Sequence, residues 1–154
     1  MENDEILLAQ LSRWPQLDTA IAFDAWIANS DRTARNLLFR ETGDFVLIDH
    51  GEAIPSDALA DTVVDNRLAK LAAPALSAHE RAEAIRRVKR SSSRFHDVDF
   101  GAIEVASLAP AWGGQSMLKE CCRFLVGRLD HLDGLIEQAL GSRQQAIPFT
   151  SLRA

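Results

Sequence analysis

The feature that most constrains the fold is a pair of short apolar runs on either side of a turn. The runs NLLFR and DFVLID flank the residues ETGD, and Gly43 within them suits a turn that needs a positive φ. Runs of this length and composition favour strands. Residues 36–49 are therefore predicted to form a single β-hairpin.

Most of the remaining chain shows apolar residues at helical spacing. Ser77 and Glu80 form a capping-box pattern at one predicted helix start. Helices are expected close to residues 5–14, 18–28, 56–73, 77–91, 99–108 and 115–140. The predicted fold class is α+β and mainly helical, with one hairpin and about six helices.

The length and the cysteines bound the organisation of the chain. At 154 residues it is most simply one domain, which we expect to span 1–141, followed by a flexible tail at 142–154. The adjacent Cys121 and Cys122 resemble neither a disulfide framework nor a metal knuckle, which favours a cytoplasmic location. The opening residues lack a signal pattern, and no apolar run approaches the roughly 18 residues of a membrane helix.

The charge distribution argues against general binding to nucleic acid. Non-specific affinity depends on Lys and Arg neutralising phosphates, whereas this chain carries a net charge of −5. Six of its 17 basic residues lie between Arg81 and Arg94. They could hold phosphate or an acidic partner, but we interpret them as a solvated helix face.

The residues whose side chains could bind a metal or take part in a reaction lie at the ends of the predicted hairpin. Asp31 and Asn36 belong to the polar stretch NSDRTARN, and Asp49 ends the second apolar run. Antiparallel strands lie about 4.8 Å apart, so Asn36 and Asp49 should lie side by side, with Asp31 facing the same point. Their oxygens suit a hard cation such as Mg²⁺. A structural alternative stays open, in which Asp31 caps a turn and Asn36 and Asp49 simply bound strands.

This pattern resembles the catalytic half of the protein-kinase-like superfamily, where a D-x-x-x-x-N loop precedes a hairpin and a metal-binding aspartate. The stretch NSDRTARN is most similar to the N-x-D-x-x-x-x-N loop of HipA-like kinases, and IDHG, with His50 and Gly51, takes the place of DFG. The resemblance implies that Asp31 orients or deprotonates an acceptor hydroxyl. It also implies that Asn36 and Asp49 hold Mg²⁺ (or Mn²⁺) on the phosphates of ATP.

Supporting residues surround the motif. Asn29 opens the stretch that resembles the kinase loop, and Asp24 could accept hydrogen bonds that hold this loop, with a surface aspartate as the alternative. Thr33 stands where many such kinases carry Lys or His close to the transferred phosphoryl group. Arg32 or Arg35 could replace that positive charge.

A complete kinase also needs a small β-rich lobe, with a glycine loop over the phosphates and a lysine paired with a glutamate. Residues 1–30 contain neither Gly nor Lys, so the chain resembles the C-terminal catalytic lobe alone. One interpretation is a phosphotransferase that obtains its small lobe from a partner protein or a second copy. The other is a non-catalytic, pseudokinase-like binding module or decoy. Leucine spacing in the last helix fits a homo-oligomer seam or a core helix equally well.

Overall fold

The computed structural model describes residues 2–40, 43–72, 76–107, 111 and 113–141. Within them the chain forms seven α-helices and one two-stranded antiparallel hairpin. This confirms the predicted α+β, mainly helical class. The expected tail at 142–154 lies outside the described residues.

In the described part of the chain, the hairpin forms one sheet and the other regular elements are helical. The helices are α1 (Glu2–Arg13), α2 (Leu17–Trp26), α3 (Arg67–Ala72), α4 (Ala78–Ser92), α5 (Phe100–Ala106), α6 (Gln115–Leu129) and α7 (Leu132–Gly141). The strands are β1 (Leu37–Phe39) and β2 (Phe45–Leu47). Two 3-10 segments, Ala34–Asn36 and Ser93–Asp97, precede β1 and follow α4.

The hairpin forms where the sequence predicts it. Leu37 pairs with Leu47, and Gly43 in the turn has a φ of 82°, as the turn requires. The strands are shorter than the apolar runs, because Asn36 completes the preceding 3-10 segment. The backbone N–H of Ile48 still donates to the Asn36 carbonyl at 3.1 Å. Asn36 therefore lies opposite Ile48 and not, as predicted, opposite Asp49, which is the next residue.

Helix α2 is the centre of the core. Apolar residues are spread around its circumference, which is typical of a largely buried helix. Its buried apolar residues are Ala20, Ile21, Ala22, Ala25 and Trp26, and the polar Asp24 is buried with them. Trp26 stacks on Phe95 with centroids 4.8 Å apart and donates its indole N–H to the Leu125 carbonyl at 2.9 Å. The polar stretch that follows α2 therefore begins inside the packed interior.

Two predicted helix boundaries are wrong. Of the described residues within 56–73, only Arg67–Ala72 are helical, and residues 52–66 form turns, bends and irregular backbone instead. The carbonyls of Ala60 and Thr62 accept hydrogen bonds from Arg128, at 3.0 and 2.9 Å, rather than from a helical ladder of their own. Thus a side chain from a distant helix satisfies this backbone.

The helix expected over 115–140 is divided into α6 and α7. His131 donates its backbone N–H to the Arg128 carbonyl, three residues back, which tightens and ends α6. The core contains three apolar residues of α7, namely Leu132, Ile136 and Leu140. For α7, the interpretation of the spaced apolar residues as core residues is therefore confirmed. None of the described helices is long and apolar enough to cross a membrane.

Candidate functional site

The chain leaves α2 through a reversal that carries it back along the helix end. Ala28 adopts a left-handed φ of 54°, and the Asn29 N–H donates to the Asp24 carbonyl at 2.9 Å. This six-to-one bond, with Ala28 N–H donating to Ala25, is the Schellman ending. Glycine usually occupies the left-handed position, so the alanine is mildly strained here. The reversal places Asn29 directly over the last turn of α2.

A buried ion pair fixes the loop that follows. Asp24 and Arg32 both have 0% side-chain exposure, and their carboxylate and guanidinium make two parallel bonds of 3.0 and 2.8 Å. Asn29 Nδ2 donates to the same carboxylate at 3.2 Å. The surface alternative for Asp24 is therefore wrong, and Asp24 holds the loop through side chains.

Arg32 also connects the loop to both ends of the hairpin. Its Nη1 donates to the Asn36 carbonyl at 3.3 Å and to the Ile48 carbonyl at 2.7 Å. Because this guanidinium is fully buried, the hypothesis that Arg32 offers its charge to a phosphate is wrong. Arg35 is exposed and remains open to that role.

Asp31 and Asn36 lie close together, as the sequence predicts. The Asp31 N–H donates to Asn29 Oδ1 at 3.0 Å, and Asn36 Nδ2 donates to the Asp31 carbonyl at 2.9 Å. The Asn36 amide is therefore anchored through its nitrogen, which leaves Oδ1 directed away from the Asp31 carbonyl. An oxygen held in this way is suited to binding a cation.

Asp49 lies at the same end of the hairpin. It directly follows Ile48, which pairs with Asn36, and it is exposed with a left-handed φ of 55°. Aspartate tolerates this conformation better than most residues, but it still carries a cost of order 1 kcal/mol. Gly51 lies next to its carboxylate, and His50 packs edge-on against Phe23 at 5.8 Å. Strained polar residues of this kind cluster at functional sites.

Sequence reasoning missed Arg67, the first residue of α3. Its Nη1 lies 2.9 Å from Asp31 Oδ1, and the two side chains are 32% and 45% exposed. The residues are 36 positions apart, and no local pattern connects them. Arg67, which lies outside the loop, therefore places a positive charge beside Asp31.

Sequence reasoning also missed Arg128, which fixes the segment between Asp49 and Arg67. The side chain is fully buried, donates to three backbone carbonyls and lies over the Phe124 ring at 5.5 Å. Burial lowers the pKa of Arg128 to about 10, with the Asp61 carboxylate opposing the shift. At neutral pH the group remains protonated. Its hydrogen bonds to Ala60 and Thr62 therefore hold the loop that precedes α3 in place.

The predicted ligands are of the chemical type that a magnesium ion shared with phosphate takes. Among the described residues, no three His, Cys, Asp or Glu side chains come together as a metal-binding group. Mg²⁺ commonly takes only one or two protein oxygens and fills its other positions with phosphates and water. Asn36 Oδ1 and the Asp49 carboxylate would be those protein oxygens. The magnesium site stays a prediction.

An apolar cavity lies apart from these residues. It has a volume of about 280 Å³ and is lined mainly by aromatic and aliphatic side chains, including Trp14, Phe23, Phe45, Leu47 and Phe95. Neither Asp31, Asn36 nor Asp49 contributes to its walls. We therefore base the candidate site on the loop and the hairpin end.

Comparisons with protein-family models, with curated proteins and with solved structures found no match for this chain.

The basic face of α4 is predicted to have no specific role in nucleic-acid binding. Arg87 pairs with Asp18 at 3.0 Å, and Lys89 pairs with Glu137, while Arg86 and Arg90 are exposed. Surface charge changes usually alter stability by no more than about 0.5 kcal/mol. Replacing Arg86 and Arg90 together by glutamate should leave the melting temperature almost unchanged. It should also leave gel shifts with DNA and RNA unchanged at physiological salt. Tight, salt-sensitive binding that the double substitution removes would contradict this interpretation.

Proposed function

We propose that this chain is a kinase-like phosphotransferase lobe, similar to the C-terminal lobe of HipA-like kinases, that binds a magnesium nucleotide. The observation that carries the proposal is that Asp31, Asn36 and Asp49 all lie at one end of the hairpin. Asn36 is anchored on the Asp31 backbone, and Asp49 follows the residue that pairs with Asn36. In this proposal, Asn36 and Asp49 hold the metal, and Asp31 acts on the acceptor.

The proposed reaction transfers the γ-phosphoryl group of ATP to an acceptor hydroxyl. The hydroxyl oxygen forms a bond to the γ-phosphorus, the bond to the β–γ bridging oxygen breaks, and ADP leaves. The hydroxyl proton passes to the Asp31 carboxylate, which is partly exposed and has one oxygen paired with Arg67. Bound Mg²⁺ would neutralise charge on the phosphates. Positioning and charge stabilisation supply most of the rate in such reactions.

The hairpin offers a docking surface for a small lobe. Leu38 and Phe39 of β1 are exposed apolar residues, and in the described part of the chain β1 and β2 each pair on one side only. Exposed apolar surface and unpaired strand edges commonly mark sites of protein interaction. These features support a partner protein, or a second copy, that supplies the small lobe. A cytoplasmic location, where ATP and Mg²⁺ are available, is part of the proposal.

The same exposed hairpin favours a second candidate function. A non-catalytic, pseudokinase-like module would use Leu38 and Phe39 to bind another protein and would transfer no phosphoryl group. The two functions differ in their need for the metal ligands, because a pure binding module does not require Asn36 or Asp49 to hold a cation. Metal binding therefore distinguishes the two functions.

Mg²⁺ or Mn²⁺ is expected to raise the melting temperature of the full chain. A metal at ten times its dissociation constant stabilises the folded state by RT ln 11, about 1.4 kcal/mol. For a domain of this size that corresponds to about 3 to 6 °C. Asp49→Asn should remove most of the increase, because it removes one ligand charge. The measurement is a thermal melt with and without the metal.

Asp133→Asn provides the matched control for this experiment. Asp133 is an exposed aspartate on α7, outside the loop and the hairpin. This variant should keep the full metal response. An equal response in wild type and Asp49→Asn would place the cation elsewhere and remove the basis of the proposed function. A response in wild type that Asp49→Asn lacks, with ATP binding that depends on Mg²⁺, would support it.

A further inference from the structure

Within the loop of the candidate site, no positive charge is both accessible and held in position by an ion pair with a described residue. Thr33 is buried and neutral, and the Arg32 guanidinium is enclosed with Asp24. Arg35 is exposed, and no ion pair to a described residue fixes its position. A site that binds the phosphates of a nucleotide needs cationic donors as well as a metal, because the polyphosphate carries several negative charges.

Arg67 supplies a cation at this point from another element. One of its nitrogens, Nη1, lies 2.9 Å from Asp31 Oδ1. A guanidinium has five N–H donors in a planar fork, so a single bond to Asp31 leaves several donors for another group. The side chain is 32% exposed. Arg67 is thus placed against the candidate catalytic carboxylate and remains accessible to a ligand.

Its position is fixed by the packing of α3. The preceding residue, Asn66, is buried; its Nδ2 donates to the Ile21 carbonyl at 2.9 Å, and its Oδ1 accepts from the Ala69 N–H at 2.9 Å. Leu68 and Ala69 are fully buried beside it. The backbone of Arg67 is therefore anchored on α2, which also carries Asp24. A preorganised cation loses little freedom when a ligand arrives.

We propose that Arg67 is a phosphate-binding side chain of this site and supplies the positive charge that Thr33 does not. It binds the terminal phosphate of a polyphosphate beside Asp31. The inference rests on the proposed function for the identity of the natural ligand, a nucleoside triphosphate. Its physical content, an oxyanion-binding guanidinium at this position, can be tested with an inorganic polyphosphate.

A purely stabilising ion pair is the competing explanation, and a second pair in the same chain serves as a control for it. Arg87 lies 3.0 Å from Asp18, with side chains 54% and 26% exposed. This pair has similar geometry but lies away from the loop and the hairpin, on α4 and α2. Exposed pairs of this kind each contribute at most about 1 kcal/mol to stability. If Arg67 only stabilises the fold, Arg67→Gln and Arg87→Gln should behave alike in every assay.

The test is a titration of the full chain with inorganic tripolyphosphate, with and without Mg²⁺, for wild type and three variants. Arg67→Gln is expected to weaken binding about tenfold or more, because it removes a charge-assisted hydrogen bond. Arg67→Lys should give an intermediate affinity, because it keeps the charge but loses the planar fork. Arg87→Gln should bind as wild type does. Circular dichroism melts establish that each variant is folded.

Mn²⁺ binding without phosphate separates this inference from the proposed function. Arg67→Gln should leave Mn²⁺ affinity unchanged or slightly higher, because the variant removes a nearby positive charge. Equal tripolyphosphate affinity in wild type and Arg67→Gln, or no binding by wild type, would overturn the Arg67 assignment. Binding that depends on Arg67 in a chain that holds no Mn²⁺ through Asp49 would support the assignment and overturn the metal-nucleotide function.

Discussion

Replacing Asp24 by alanine is expected to lower the free energy of unfolding by about 3 to 5 kcal/mol, because it leaves the buried charge of Arg32 unpaired. Both side chains have 0% exposure and are joined by two hydrogen bonds. Water therefore does not solvate the guanidinium once its partner is removed. The same substitution also frees Asn29 Nδ2, which donates to this carboxylate. Chemical denaturation with urea, monitored by circular dichroism, measures the change.

Asp18 provides a matched control on the same helix. It also pairs with an arginine, Arg87, but on the surface, so Asp18→Ala should cost no more than about 1 kcal/mol. A double-mutant cycle sharpens the comparison: Asp24→Ala combined with Arg32→Ala should cost clearly less than the sum of the two single variants. Similar losses for Asp18→Ala and Asp24→Ala, or additive effects at the buried pair, would contradict the structural role given to it.

The second large effect is expected in catalysis: the isolated chain should transfer phosphate far more slowly than a complete kinase. Residues 1–30 contain no Gly and no Lys, so they provide neither a glycine loop over the phosphates nor the small-lobe lysine. Removing a single preorganised donor typically lowers the rate about 10²- to 10³-fold. The absence of both the glycine loop and the lysine should lower the rate by more than this. Arg67 alone replaces only part of the missing charge.

Radiolabelled phosphate transfer to the chain itself and to generic acceptors measures this prediction. Purified protein is assayed alone and with candidate partners that carry a lysine-bearing β-rich lobe. Activity should appear only with a partner and should be lost in Asp31→Ala, whereas Asp133→Ala should retain it. Robust transfer by the lone chain, abolished by Asp31→Ala, would show that a complete phosphate clamp exists within these residues. The partner hypothesis would then be wrong.

Much of the candidate site is determined by local sequence. The hairpin follows from two apolar runs around Gly43, and its register alone places Asp49 next to the residue opposite Asn36. Asp31 and Asn36 are five residues apart, and their contact needs only the short turn between them. Interactions of this kind depend on neighbouring residues, so spacing and residue type are sufficient to predict them.

The errors in the helix boundaries have a different cause. Residues 56–66 contain apolar residues at helical spacing, but Arg128 satisfies the carbonyls of Ala60 and Thr62 from 68 and 66 positions away. The leucine spacing also continues without interruption through the break between α6 and α7. The spacing of apolar residues indicates which residues face the core, but it does not indicate where a helix ends. A helix can end where a distant side chain, such as that of Arg128, satisfies the backbone carbonyls that helical hydrogen bonds would otherwise satisfy.

The sequence by itself therefore determined the fold class, the hairpin and the positions of Asp31, Asn36 and Asp49 along the chain. Only the tertiary structure decided which arginine is buried and which is accessible. Arg32 and Arg67 are the same residue type, yet packing against α2 pairs Arg32 with Asp24 in the core, while α3 brings Arg67 to Asp31 across 36 residues. The physical reason is that burial and ion pairing depend on which elements meet in space, and that choice depends on the packing of the whole chain.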